Sequence, residues 1–250
     1  MQEQQSALRR IALLRARFPR ALPDEDCSRD ALLQYTEGRD TECCDLAGNV
    51  YDVGYTIADR KGVILTRKNW LVEEVFTDPD KMMGAFYAKK LFSHYAPMLD
   101  AGTIGLAPWS KIVSEMQIDV DAFGVNVLAA YNLGFDRRVM RQTNERFGLG
   151  PILPAMDMLD IWQFACETKL SQARYKEIAR ELGWVSAAGN IRTGAEYAYR
   201  FCSGDFGFIE DHTALSDAVI ETKILADCYA CKKSVPYGIV NAQPWRIVNA

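Results

Sequence analysis

A chain of 250 residues, 49% apolar and 25% charged, is long enough to bury one sizeable core and ordinary enough in composition for a globular protein. It contains no apolar run of about 18 residues, which excludes a membrane-spanning helix. Met1-Gln2-Glu3-Gln4-Gln5 lacks the basic-then-apolar pattern of a secretory signal, so a cytoplasmic location is expected. The net charge of −4 gives no overall attraction to a phosphate backbone. That total misleads where clustered carboxylates exist to hold cations, because a nucleic acid needs only a local basic surface.

The seven cysteines, at 27, 43, 44, 166, 202, 228 and 231, are odd in number and irregular in spacing. They read as reduced thiols rather than a disulfide framework. Cys228-x-x-Cys231 lies in a helical pattern with no second ligand pair for zinc.

Residues 3–19 carry Leu8, Ile11, Leu14 and Phe18 on one face and predict an amphipathic helix. It opens a helical extension over residues 1–30, a surface for the main domain, a protein partner or self-association. Residues 28–38 fit either a short helix capped by Ser28 and ended by Gly38, or a poor strand. Val50 to Ile57 is rich in β-formers, Asp59 to Gly62 is a turn, and Val63–Thr66 with Trp70–Val72 continue the β pattern. Residues 79–92 read helical, with Met82, Met83, Phe86, Tyr87 and Leu91 as a core stripe. A second helix follows over 108–117, with Pro108 near its first turn.

Val125 to Tyr131 predicts a buried strand, turning through Asn132-Leu133-Gly134-Phe135-Asp136 into a helix that carries Arg137, Arg138 and Arg141. Gly148 to Pro154 is a loop. Met158 to Trp162 is a short strand with a helix after it, and another helix covers 171–183. Thr193-Gly194-Ala195-Glu196 has the form of a capping box, opening a helix through Tyr197, Tyr199 and Phe201. The last helix spans 213–232, with Leu215, Ala218, Val219, Thr222, Leu225 and Tyr229 along its buried stripe. The tail, 234–250, reads as extended. The expected class is α/β: one domain over 31–233, a mixed sheet flanked by helices.

Three acidic segments stand at element ends: Asp40-x-Glu42, Asn132-x-x-x-Asp136 and His212-x-x-x-x-Asp217. Four carboxylates suit hard divalent cations such as Mg²⁺ or Mn²⁺. Two such ions roughly 4 Å apart can clamp a phosphodiester, and an imidazole can take the proton of the attacking water. Asp40 and Glu42 would face the same way on a strand, because the period is two.

In this order the segments resemble the three motifs of the DEDDh 3′–5′ exonucleases, and the general style, Asp160-Ile161-Trp162 included, is most similar to phage-encoded members. His212-Thr213-Ala214-Leu215-Ser216-Asp217-Ala218 is similar to the family's His-x-Ala-x-x-Asp-Ala, and Thr213 stands where the sister class has a tyrosine. Asn132 to Asp136 resembles Asn-x-x-Phe-Asp, with Tyr131 in place of the family's histidine. Val50-Tyr51-Asp52-Val53-Gly54 resembles its Ile-x-Glu-Ile-Gly strand.

The resemblance implies a ribonuclease-H-like fold and two Mg²⁺ or Mn²⁺ ions. Asp40, Glu42 and Asp217 would hold the first, and Asp40 with Asp136 the second, with His212 as general base. It implies that Cys43 and Leu46 border the terminal nucleotide, Leu46 as a wedge, and that Asn132 and Phe135 orient the second motif. The substrate implied is a 3′ end, single-stranded DNA first and RNA or oligoribonucleotides as the alternative. A non-catalytic nucleic-acid or partner-binding module is the contrasting reading. Arg137, Arg138, Arg141, Lys169, Arg174, Lys176 and Arg192 are the candidates to follow a phosphate backbone, and Tyr51 and Phe86 could stack on bases or pack in the core. The family places its first motif at the end of an apolar central strand, whereas Thr36-Glu37-Gly38-Arg39 precedes Asp40 here.

Overall fold

The computed structural model describes residues 32–36, 50–83, 91–150, 156–231 and 233–250. The predicted N-terminal helix, Phe86 and the first motif with its neighbours (Asp40, Glu42, Cys43 and Leu46) lie outside these residues.

The described strands are β1 (Leu32–Thr36), β2 (Asp52–Ala58), β3 (Ile64–Val72), β4 (Gly105–Ala107), β5 (Val127–Ala130) and β6 (Asp157–Asp160). They form one mixed sheet in the order β4-β3-β2-β1-β5-β6. β2 runs antiparallel to both β1 and β3, while β1–β5, β5–β6 and β3–β4 are parallel. The ambiguous segment at 28–38 therefore yields a central strand. Its last residue, Thr36, lies opposite Gly54 of β2. Pairing on both sides imposes the strand on a sequence of modest β propensity.

The helices are α1 (Glu73–Phe76), α2 (Pro79–Met83), α3 (Ala96–Asp100, after a π turn at Leu91–Tyr95), α4 (Trp109–Phe123), α5 (Leu133–Arg146), α6 (Ile161–Thr168), α7 (Ala173–Glu181), α8 (Ala195–Ser203), α9 (Ala214–Ala230) and α10 (Trp245–Asn249). No described helix is long and apolar enough to cross a membrane. Both faces of the sheet are covered, so β5 alternates between two cores. Leu128 and Ala130 join Trp109, Ile112 and Met116 of α4 and Val139 of α5. Val127 and Ala129 join Phe164 of α6, Tyr175 of α7, and Ile224 and Leu225 of α9. Each buried Val, Leu, Ile, Phe or Met among them contributes roughly 1.5–3 kcal/mol.

β2 explains how the last helix comes so close. Its bulky Val53, Tyr55 and Ile57 lie in the α4–α5 core, while Gly54, Thr56 and Ala58 alternate with them on the α9 face. A Cβ on Gly54 would sit 2.1 Å from the backbone nitrogen of Leu215. Thr56 and Thr222 share a hydroxyl hydrogen bond of 2.9 Å.

Three expectations are corrected. α9 is buried on more than one stripe, with Asp217, Ile220, Glu221 and Ile224 inside as well as Ala218, Thr222 and Leu225, because the sheet covers one side and helices the other. The predicted capping box does not form. The N-cap is Gly194, the Thr193 hydroxyl accepts the indole N–H of Trp162 at 3.0 Å, and Glu196 pairs with Arg200. The tail is not simply extended. It crosses edge strand β6, where Gly238 N–H donates to Met158 O at 2.8 Å, and ends in α10.

Candidate functional site

The second motif begins where β5 ends. Asn132 is the N-cap of α5 with φ 73° and ψ 47°, in the left-handed region. The chain must turn sharply there to send Leu133 and Asp136 inward. Asp160, at the end of the neighbouring β6, lies under this turn. Its carboxylate accepts Gln163 N–H at 3.1 Å as the N-cap of α6. Burial pushes the Asp160 carboxyl up to about 6, against the pull of backbone N–H groups from Gln163, Asn132, Trp162 and Leu133. Asp136 itself lies in the first turn of α5 and is buried. Phe135 is half-buried beneath the Arg138 guanidinium, 5.2 Å from its ring centre.

The third motif enters α9 through a fixed turn. Asp211 Oδ1 accepts both the N–H and the hydroxyl of Thr213, each at 3.0 Å. His212 between them has φ 56°. Asn132 and His212 are the only non-glycine residues with positive φ among the described residues. Backbone strain of this kind costs about 1–3 kcal/mol and clusters at functional sites, and here it falls at the predicted motifs. Asp217, in the first turn of α9, is buried.

A residue of β2 holds the start of this helix. Asp52, fully buried, accepts Ala214 N–H at 3.0 Å and the Tyr95 hydroxyl at 2.9 Å through the same oxygen. A carboxylate at the amino end of α9 suits both the open N–H groups and the helix dipole.

The two motifs meet at a carboxylate that sequence reasoning missed. Glu221, one turn beyond Asp217 on α9, is buried and accepts Tyr131 N–H at 3.0 Å. Burial first, then the charges of Asp136 and Asp217, hold its carboxyl well above the usual range, with Glu210 adding to the effect. Its i+4 spacing from Asp217 was the available signal, since that spacing puts both on one helix face. Such a concentration of acid is the environment that a hard divalent cation neutralises.

Glu210 was also missed. Its Oε2 lies 3.4 Å from His212 Nδ1, and one ligand atom each of Glu210, His212 and Asp217 lie within 4.8 Å of one another. The His212 side chain is 38% exposed, so it reaches solvent while Asp217 stays inside.

These residues open into a cleft of about 700 Å³ that Asn132, His212 and Asp217 line. Among the basic candidates, Arg192 reaches it, with its guanidinium 5.7 Å from the Tyr197 ring centre. Arg137, Arg138 and Arg141 are exposed along α5. Tyr51 is buried edge-on against Tyr95 and packs in the core. Cys228 is buried and Cys231 half-buried, both free thiols. No protein-family model matches the chain, and no curated protein matches it in sequence.

Proposed function

We propose that this chain is a metal-dependent 3′–5′ exonuclease of ribonuclease-H-like fold, releasing nucleoside monophosphates from the 3′ end of DNA. The observation that carries this reading is the meeting of the second and third motifs at Glu221, where Asp136 of α5 and Asp217 of α9 press their charges on one buried carboxyl. Left-handed backbone at Asn132 and His212 adds support. So does a central strand, β1, whose end lies four residues before Asp40.

Asp136 and Asp217 would hold the cations, joined by Asp40 and Glu42. Bound Mg²⁺ or Mn²⁺ supplies charge to polarise the phosphodiester and steady the leaving oxygen. His212 takes the proton of the attacking water. Glu210, 3.4 Å from Nδ1, orients the ring so that Nε2 faces the cleft, and steadies the imidazolium once formed. The water oxygen bonds to phosphorus, the P–O3′ bond breaks with O3′ taking a proton from solvent, and a 5′-monophosphate leaves a strand one residue shorter that ends in a 3′-hydroxyl.

The test is incubation of 5′-labelled single-stranded DNA, duplex DNA and RNA with Mg²⁺ or Mn²⁺, each against EDTA. A ladder that shortens from the 3′ end only with metal is the expected result. Strands left intact under every metal condition would refute the proposal, and digestion of RNA alone would move the substrate class.

A further inference from the structure

The cleft has a wall that the three motifs do not supply. The tail runs along β6, and Val240 Cγ1 lies 3.1 Å from where a Cβ on Gly134 would be, against the second motif. Asn241 then donates to Gln163 Oε1 of α6 at 3.1 Å. Gln243 and Trp245 line the same cleft as His212 and Asp217. Beyond them, Asn249 holds Ile191 by two hydrogen bonds, accepting its N–H at 2.7 Å and donating to its carbonyl at 3.2 Å. Ile191 and Arg192 belong to the loop that lines the same cleft. The tail is therefore tied to the second motif and to the Arg192 loop, and its central part lies between them.

The chemistry of this wall differs from that of the carboxylate end. Tyr131 and Trp162 stack with ring centres 6.3 Å apart and planes 22° apart, and both line the cleft with Trp245 and Arg192. Trp162 is buried in this stack, while Trp245 is half-buried, and a flat aromatic face beside a cation suits a nucleobase and its phosphate. Close by, the tail keeps Ile239 at 48% and Val240 at 49% exposure.

We propose that the C-terminal tail is part of the substrate-binding surface, with Trp245 and Gln243 holding a nucleobase of single-stranded nucleic acid next to the scissile phosphate. This rests on the exonuclease reading for the position of the phosphate. The tail's grip on the strand is a binding property of its own and is measured separately.

The experiment compares wild type, Trp245→Ala, Trp245→Phe and Gln243→Ala. It reads fluorescence anisotropy of a 5′-fluorescein oligodeoxythymidylate without metal, KM and kcat on the same strand with Mn²⁺, and the melting temperature. Loss of one stacked base weakens binding by roughly 5- to 150-fold. Trp245→Ala should therefore lose binding and raise KM by about that factor with kcat little changed. Trp245→Phe should restore most of it. Gln243 is exposed, so Gln243→Ala should keep the fold and weaken binding severalfold. Unchanged binding and KM in folded Trp245→Ala and Gln243→Ala would overturn the inference and leave the exonuclease reading standing. Tail-dependent binding without turnover in wild type would overturn the exonuclease reading and keep the inference. A wild type that neither binds nor cuts the strand would overturn both.

Discussion

Glu221 Oε2 accepts the backbone N–H of Tyr131 at 3.0 Å, tying helix α9 of the third motif to the end of strand β5 where the second begins. Through this bond two segments about 90 residues apart share one rigid frame. Glu221→Gln keeps an acceptor there and removes a carboxyl that its surroundings disfavour as an anion. The variant should be at least as stable as wild type at pH 7. Because the folded carboxyl is raised above its ordinary 4.5, wild-type stability should fall as pH climbs above about 4.5, and this part of the slope should vanish in Glu221→Gln. Glu221→Ala strands the Tyr131 N–H and should lose about 1–3 kcal/mol. Denaturant melts from pH 4 to 8 check both, and equal stability of the alanine variant would contradict the assigned bond.

His212 offers a separation of strain from chemistry. At φ 56°, glycine relieves about 1–2 kcal/mol of backbone strain, partly offset by its greater freedom when unfolded. His212→Gly should be neutral to about 1 kcal/mol more stable, while turnover falls about 10²–10⁴-fold through loss of the base. Full activity near neutral pH would remove His212 from the mechanism. A marked loss of stability would contradict the strained backbone.

The seat of α9 on β2 can be tested from the strand side. A Cβ on Gly54 would lie 2.1 Å from Leu215 N and 2.4 Å from Ala214 C, both backbone atoms. Gly54→Ala should therefore cost about 3 kcal/mol or more and reduce activity by shifting the helix that carries Asp217. Asp52→Asn keeps an oxygen for Ala214 N–H and should cost less than Asp52→Ala, which removes the carboxylate that accepts both the Ala214 N–H and the Tyr95 hydroxyl. Melting curves that do not separate the two Asp52 variants would contradict its role in holding the helix.

Asp160 gives a second pH signature. Its carboxyl rises from 3.8 to about 6 on folding, so the folded state holds the proton more tightly. The cost is absent below about pH 4, where both states are protonated. It grows as pH rises and levels off above about pH 6, near 3 kcal/mol. Asp160→Asn keeps the acceptor for Gln163 N–H. Its stability relative to wild type should improve between pH 4 and 7, and a flat difference across that range would contradict the raised carboxyl.

Much of this arrangement was legible in residue order, and what was not has physical causes. The meander, the strand ending at Ala130 and the helix carrying Asp217 follow from β-branched runs and helical spacing. β1 fits helix and strand alike in sequence because Leu32–Thr36 has no alternation of its own, and neighbours decide it. Asp52 read only as part of a strand resemblance, since its bond to Ala214 spans 162 residues. Thr193 and Glu196 matched a capping box in sequence, yet Trp162 and Arg200 hold them instead. The tail's polar anchors, Asn241 and Asn249, have no local pattern that announces a partner.

The central claim is that Asp136 and Asp217 belong to one metal-dependent hydrolytic centre. The most direct measurement is the rate of 3′-end shortening of a 5′-labelled strand by wild type, Asp136→Asn and Asp217→Asn across a Mn²⁺ titration, with strand binding followed by anisotropy. Both substitutions should keep binding, abolish the metal-dependent ladder by several orders of magnitude, and leave a folded protein. A ladder that survives in either folded variant, or that EDTA does not suppress in wild type, would contradict the account.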